Sequence, residues 1–410
     1  MTIYIIQPRS NPASSLDLIS TKFTAPCRQK QVREVINLWQ EDVTYQKLQN
    51  WLLDAQKEGT VRAVSNLSNP GITGTVIADL SDEAVIQIQE DLPDIAILKD
   101  EPIELIQPNR NIASLKDKVT ETDLWHLAAI GLTKARQKGC DFTGKGITVA
   151  VLDTGIDGRH PELSRKIISS YNLDAKQFEI FGDAELLDQD EDTEGHGTHV
   201  AGLICGNEVG IAPEVGIING IMLPQGIGSL FSFVVGMRWI STRSDVDIVN
   251  ISAGELRGGL ELLDLYAETL LAVGILPVCA VGNEGRNRTR SPGNCRSVIS
   301  VGATTQSGKV APFSSSGTIV LDHHQYTVPL LVAPGSAVYS STVGGHYEAW
   351  DGTSMATPIV SGIAALILQE YPNITVMELT EALLERCTPL PGQLAERQGA
   401  GIIKVEPPAR

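Results

Sequence analysis

Three short segments carry side chains suited to nucleophilic chemistry. "DTGID" places Asp153 directly after the apolar run "ITVAVL". "TEGHGTHVAG" holds His196 and His199, with glycine on both sides of the first. "DGTSMATP" places Ser354 at the start of a long apolar stretch. A serine hydroxyl is a weak nucleophile at neutral pH and needs an adjacent base. An imidazole can serve as that base, and a carboxylate can hold it in the right tautomer and stabilise its protonated form. The two histidines leave a second option open, because residues at i and i+3 share a helix face and could clamp a metal.

The elements that must position these residues can be read from apolar patterning. "GITVAVL", "VDIVNIS", "GILPVCAVG" and "SVISVGA" are near-continuous apolar runs, as expected of parallel strands covered by helices on both faces. "PIVSGIAALIL", after Ser354, is apolar nearly all round and belongs to a helix in the middle of a protein. In such α/β sheets, sites form at the carboxyl ends of strands, where helix N-termini supply N–H donors. Upstream the texture differs. "IYIIQ" reads as a strand, and Val32, Val35, Ile36, Trp39 and Val43 share one helix face. "TVRAV" and "TGTVIADL" read as strands around a turn. A helix capped by Ser81 follows, and "DIAILKDEPIEL" closes as one strand. The order β-α-β-β-α-β predicts a small α+β module of the ferredoxin-like type over residues 1–107. The polar segment 108–119 reads as a linker without strong structure signals, and 120–410 as the α/β domain.

Composition bounds the function. The net charge of −17 excludes the basic face that nucleic acids and anionic membranes require. No window reaches the ~20 apolar residues of a membrane span. The N-terminus lacks a basic stretch followed by an apolar run, so no secretory signal is expected. The six cysteines are scattered, with no C-x-x-C pair, which favours buried free thiols in a reducing compartment. A cytoplasmic protein is expected, or a secreted one if a native signal precedes this sequence.

The three motifs, in the chain order Asp, His, Ser, resemble those of the subtilisin-like serine proteases. The resemblance runs from about Trp125 to Val405 and includes "AVGNEG", "SVISVGATTQSGKVAPFSSSG", "LVAPGSAVYSS" and "GAGIIKV" in the family's order. It implies a serine endopeptidase with Asp153, His196 and Ser354 as the triad. It also implies Asn283 as a side-chain donor to the tetrahedral oxyanion, beside the Ser354 backbone N–H. His196 is then the base. His199 is structural, since no cysteine or third histidine is placed to complete a metal site.

By the same resemblance, Ser252, Ala253 and Gly254, with the segment near Gly228 to Leu230, pair with substrate backbone. Glu284 lies at the floor of the primary pocket, where it could favour a basic side chain. Glu255 stands where the family has a second glycine. No cofactor is required for the chemistry. "ICGNEVGIAP" is too short for the usual calcium loop, and Glu162 replaces an aspartate ligand. The acidic run Asp183–Glu194 is either a solvated loop or a calcium site. The N-terminal module resembles the family's inhibitory propeptide and is an expected partner of the cleft, together with peptide or protein substrates. Arg110 is then a candidate cleavage position, with Asn109 and Leu115 as alternatives. The competing readings are a processing protease with a retained regulatory N-terminal domain, and an inactive binding protein with the protease fold.

Overall fold

A computed structural model describes residues 2–15, 21–65, 67–173, 185–187, 192, 194–256, 261–321 and 324–407. The N-terminal module comprises strands β1 (Ile3–Pro8), β2 (Val61–Val64), β3 (Val76–Leu80) and β4 (Ile95–Lys99), with helices α1 (Ala25–Glu41), α2 (Val43–Glu58) and α3 (Asp82–Asp91). Its sheet runs β2-β3-β1-β4, with β1 antiparallel to both neighbours. This strand order suits the ferredoxin-like pattern expected from the sequence.

Two local expectations are corrected. The first helix is in fact two. Asp42 takes an extended conformation after α1, and its side chain accepts from Tyr45 N, starting α2 afresh. Val43 therefore lies exposed at the head of α2 and not on the buried face of α1. "DIAILKDEPIEL" is likewise two strands. Asp100 breaks the run, because its carboxylate caps the helix Leu230–Ser241 by accepting from Phe231 N. The chain then leaves the module as β5 (Pro102–Leu105) and β6 (Asn109–Lys116), each paired with the protease part. The expected structureless linker is thus largely a strand.

Beyond it lies a ten-stranded sheet. Thr148–Asp153 is central, with Gly216–Ile221 and Ile248–Ile251 parallel on either side. Leu276–Ala280, Ile299–Thr304 and Leu331–Pro334 extend it in parallel. Alternation along the central strand separates two cores. Val149 and Val151 face the helices His196–Cys205 and Thr353–Glu370. Ala150 and Leu152 face the other side, toward the helices Leu230–Ser241 and Glu261–Ala272.

That second core does not end at those helices. It continues without a break into the module, where Trp39, Tyr45, Leu48 and Ile72 join Phe231, Phe233 and Tyr266 in one buried cluster. The fit is close. Trp39 Nε1 donates to Ile72 O at 2.9 Å, and at Gly74, where φ is +64°, a Cβ would strike the Trp39 ring. The fully buried Arg28 of α1 also joins the two parts. Its guanidinium donates to Asp247 Oδ1 (2.9 Å), Ser244 O (2.6 Å) and Gly274 O (3.1 Å), while Asp247 Oδ2 accepts from Thr148 N at the head of the central strand.

Two buried imidazoles make the fold sensitive to acid. His126 and His199 each direct Nε2 at a backbone carbonyl, of Val209 (2.9 Å) and Glu348 (3.1 Å). A carbonyl only accepts, so each Nε2 carries the proton, and among the described residues both Nδ1 atoms are buried without a partner. Burial pushes His126 down to about 4 and His199 down to about 3. Both stay neutral in the folded chain, while the unfolded chain protonates near pH 6.5. Their stabilising contribution is complete above that value and is lost as pH falls toward 4 and then 3. The urea midpoint of the Ser354→Ala chain should therefore fall between pH 7 and pH 4.5, and fall less in His126→Gln. An unchanged midpoint would show that these imidazoles are not buried neutral.

Candidate active site

The central strand ends on Asp153, whose Oδ1 lies 2.7 Å from His196 Nδ1 and accepts from Thr154 N at 2.8 Å. Both side chains are buried. His196 opens the helix His196–Cys205 after Gly195, which has φ +82°. Gly197 has no room for a side chain, because a Cβ would meet the Gly155 carbonyl and crowd Asp153. The helix start is tied down by Asp192, which accepts from Gly195 N and Thr198 N, both at 2.8 Å. Asp192 comes from the acidic run 183–194, most of which lies outside the described residues.

Ser354 is the second residue of the helix Thr353–Glu370 and is fully buried. Its hydroxyl donates to Ile106 O at 3.1 Å and lies 3.4 Å from Ser252 O. Among the described residues, His196 Nε2 has no hydrogen-bond partner. Asn283 sits at the end of its strand with Oδ1 fixed by Thr353 N (2.9 Å) and Thr353 Oγ1 (3.0 Å). That orientation aims Nδ2 into the cleft, where it donates to Gln107 O at 3.0 Å. The sequence reading missed Thr353, although it directly precedes Ser354.

The cleft is occupied by the chain itself. β5 lies between Ile227–Ser229 and Ala253–Gly254, antiparallel to both, as the middle strand of three. Ile103 faces Gly228, Glu104 faces Gly254, Leu105 faces Ala253, and Ile106 N donates to Ser252 O at 3.4 Å. Ser252, Ala253 and Gly254 therefore line an extended peptide here. Gly254 must be glycine for close approach, since a Cβ would lie 2.5 Å from Ser291 O.

Glu284 does not offer the free acid that the sequence suggested. Arg290 Nε donates to its Oε1 at 2.7 Å, Ser315 Oγ donates to Oε2 at 3.1 Å, and Arg290 Nη1 donates to Gly254 O. The carboxylate is thus paired within the chain. Arg110 of β6 pairs with Glu348 of the strand His346–Asp351, while Gln107 presents the carbonyl held by Asn283.

His199 stacks on Trp350 at 4.4 Å and 10°, and its Nε2 is bonded to Glu348 O. These contacts make it a packing residue. The Glu162 carboxylate accepts from Glu208 N and from Tyr347 Oη, both at 2.8 Å. Among the described residues, no three His, Cys, Asp or Glu side chains cluster as metal ligands, and no helix is long and apolar enough to cross a membrane.

Comparison with known proteins gives a consistent assignment. The subtilase family model matches residues 144–401. The chain is 36% identical over 278 residues to an intracellular serine protease of Paenibacillus polymyxa, covering 63% of this chain and 79% of that one. It is 31% identical over 323 residues to a thermostable alkaline protease of Halalkalibacterium halodurans, covering 76% and 80%. To subtilisin E of Bacillus subtilis it is 32% identical over 283 residues, covering 66% and 67%. With that extent of likeness on an α/β fold that ends its central strand at Asp153, the chain belongs to the subtilase family and is a subtilisin-like serine endopeptidase.

Proposed function

We propose that Ser354 is the nucleophile, His196 its general base, Asp153 the residue that orients and stabilises the imidazole, and Asn283 a donor to the oxyanion. The Ser354 hydroxyl attacks a peptide carbonyl carbon and His196 Nε2 takes its proton. The tetrahedral oxygen then receives hydrogen bonds from Asn283 Nδ2 and from Ser354 N, one of the free N–H groups of a helix start. His196 returns the proton to the leaving amine, and water repeats the cycle on the acyl-enzyme. Substrate backbone pairs with Gly228 on one side and with Ser252 to Gly254 on the other. Six unpaired cysteines, together with a relative named as intracellular, support a reducing, cytoplasmic setting.

We further propose that the enzyme is self-inhibited by its N-terminal part, with a module and tail over 1–107, a connection over 108–119 and a catalytic domain over 120–410. The observation that carries this reading is the peptide-like seat of residues 102–107 in the cleft. Its register is unproductive. The Ser354 hydroxyl engages the carbonyl of Ile106, while the oxyanion donor Asn283 holds that of Gln107. No single peptide bond has both. The next bond leads into Pro108, whose ring occupies the place of the leaving N–H. These two features favour the reading in which the module is a retained regulatory domain over one in which it is a released propeptide. The common core and the buried Arg28 support retention further.

Ser354→Ala should abolish peptide hydrolysis, by about 10⁶-fold, the magnitude established for subtilisin. Asn283→Ala should lower kcat by about 10²–10³-fold with KM little changed, again the size established for subtilisin's own oxyanion asparagine. A raised KM at constant kcat would make Asn283 a binding residue instead. N-terminal sequencing after incubation separates the fates of the module. We expect wild type and Ser354→Ala to keep the same N-terminus. A new N-terminus within 108–119 in wild type alone would establish a released propeptide.

A further inference from the structure

Downstream of Gln107 the chain crosses Ser354 and adds to the edge of the strand His346–Asp351. Asn109, Arg110 and Asn111 lie opposite Asp351, Trp350 and Ala349. Main-chain pairing of this kind accepts any extended peptide, and preference has to come from side-chain pockets. One pocket is built here. The Arg110 guanidinium lies over the Trp350 ring, 4.7 Å from its centroid, and Nη2 donates to Glu348 Oε2 at 3.1 Å. Glu348 is 2% exposed, against 45% for Arg110, and among the described residues its second oxygen is buried without a hydrogen-bond partner. Behind the ring, neutral His199 stacks on Trp350 and fixes the aromatic face without adding a competing charge.

A carboxylate this buried is costly unless a cation stands beside it. In the resting chain that cation comes from a segment that must leave before any substrate can enter. A peptide that replaces it along the same edge meets an uncompensated carboxylate beside an electron-rich ring. A planar guanidinium suits both, because it can fork onto the carboxylate and lie flat on the indole, whereas an ammonium is a point charge.

We propose that Glu348 and Trp350 form an arginine subsite on the leaving-group side of the cleft, filled in the resting chain by Arg110. Peptides that displace the segment carry arginine, or less favourably lysine, three residues beyond the one whose carbonyl Asn283 holds. The inference rests on the cleft assignment above and adds to it a substrate class and a reason why the segment is held. Arg110 is at once a latch and a copy of the ligand.

The test is peptide binding to the full chain carrying Ser354→Ala and Arg110→Ala, followed by fluorescence anisotropy. Labelled peptides with the sequence of residues 103–115 bear arginine, citrulline, lysine or glutamate at the position of Arg110. The arginine peptide should bind about tenfold or more tightly than its neutral citrulline twin, with lysine between them and glutamate weakest. Adding Glu348→Gln to the chain should bring the arginine-to-citrulline ratio within about twofold. If that variant fails to fold, the ratio on the Glu348 chain decides by itself. Equal affinities, or no binding of either peptide, would overturn the subsite. Catalysis plays no part in this readout, so an error in the triad would appear separately, as peptide hydrolysis surviving in Ser354→Ala.

Discussion

The N–H of Ile106 donates to the Ser252 carbonyl, and the register of everything in the cleft follows from that bond. Upstream it fixes Leu105, Glu104 and Ile103 against Ala253, Gly254 and Gly228. Downstream it leaves two residues, Gln107 and Pro108, to pass Ser354 before the chain joins the strand His346–Asp351 at Asn109. Asn283 takes the Gln107 carbonyl because that is the one within reach. Ser354 and Asn283, the proposed nucleophile and oxyanion donor, are thereby divided between neighbouring peptide units. Catalysis needs both on one carbonyl at once, and on that ground the segment is proposed to act as an inhibitor.

The rest of the chain keeps that segment in place. The helices Leu230–Ser241 and Glu261–Ala272 present Phe231, Phe233, Val234, Leu262 and Tyr266 to a core that only the module completes. Removing the module would bare an apolar surface of the kind that soluble monomers rarely expose. Arg28 adds a polar anchor at the head of the sheet, where losing either partner leaves a buried charge alone. Because module and protease share one core, the segment between them is held at high effective concentration. In the proposed self-inhibited state, opening the cleft means that residues 100–116 peel away while the module stays in place.

Much of this was legible in the chain because the chemistry constrains local sequence. Gly197 and Gly254 are forced by close backbone approach, and Asp153, His196 and Ser354 sit at element ends, where a short motif carries the whole signal. The module's alternation of strands and helices followed in the main from periodicity. What could not be read depends on partners distant in sequence or on a single capping residue. Asp42 split a helix whose apolar spacing looked continuous. Asp100 ended a strand by capping a helix that begins at Leu230. Glu284 is paired with Arg290, a partner that its motif does not announce. The Arg110–Glu348 pair joins β6 to a strand far along the chain, and neither residue announces the other.

In the proposed resting state the chain's own segment, and not a defect in the triad, keeps the enzyme quiet. The most direct measurement is the rate at which a fluorophosphonate modifies Ser354 in the full-length protein, compared between wild type and Ile106→Asp. Ile106 is fully buried in the cleft, and a carboxylate there should drive the segment out. The account predicts slow labelling of the wild type and labelling faster by about tenfold or more in Ile106→Asp, as the open population rises. Equal rates in the two proteins would contradict it.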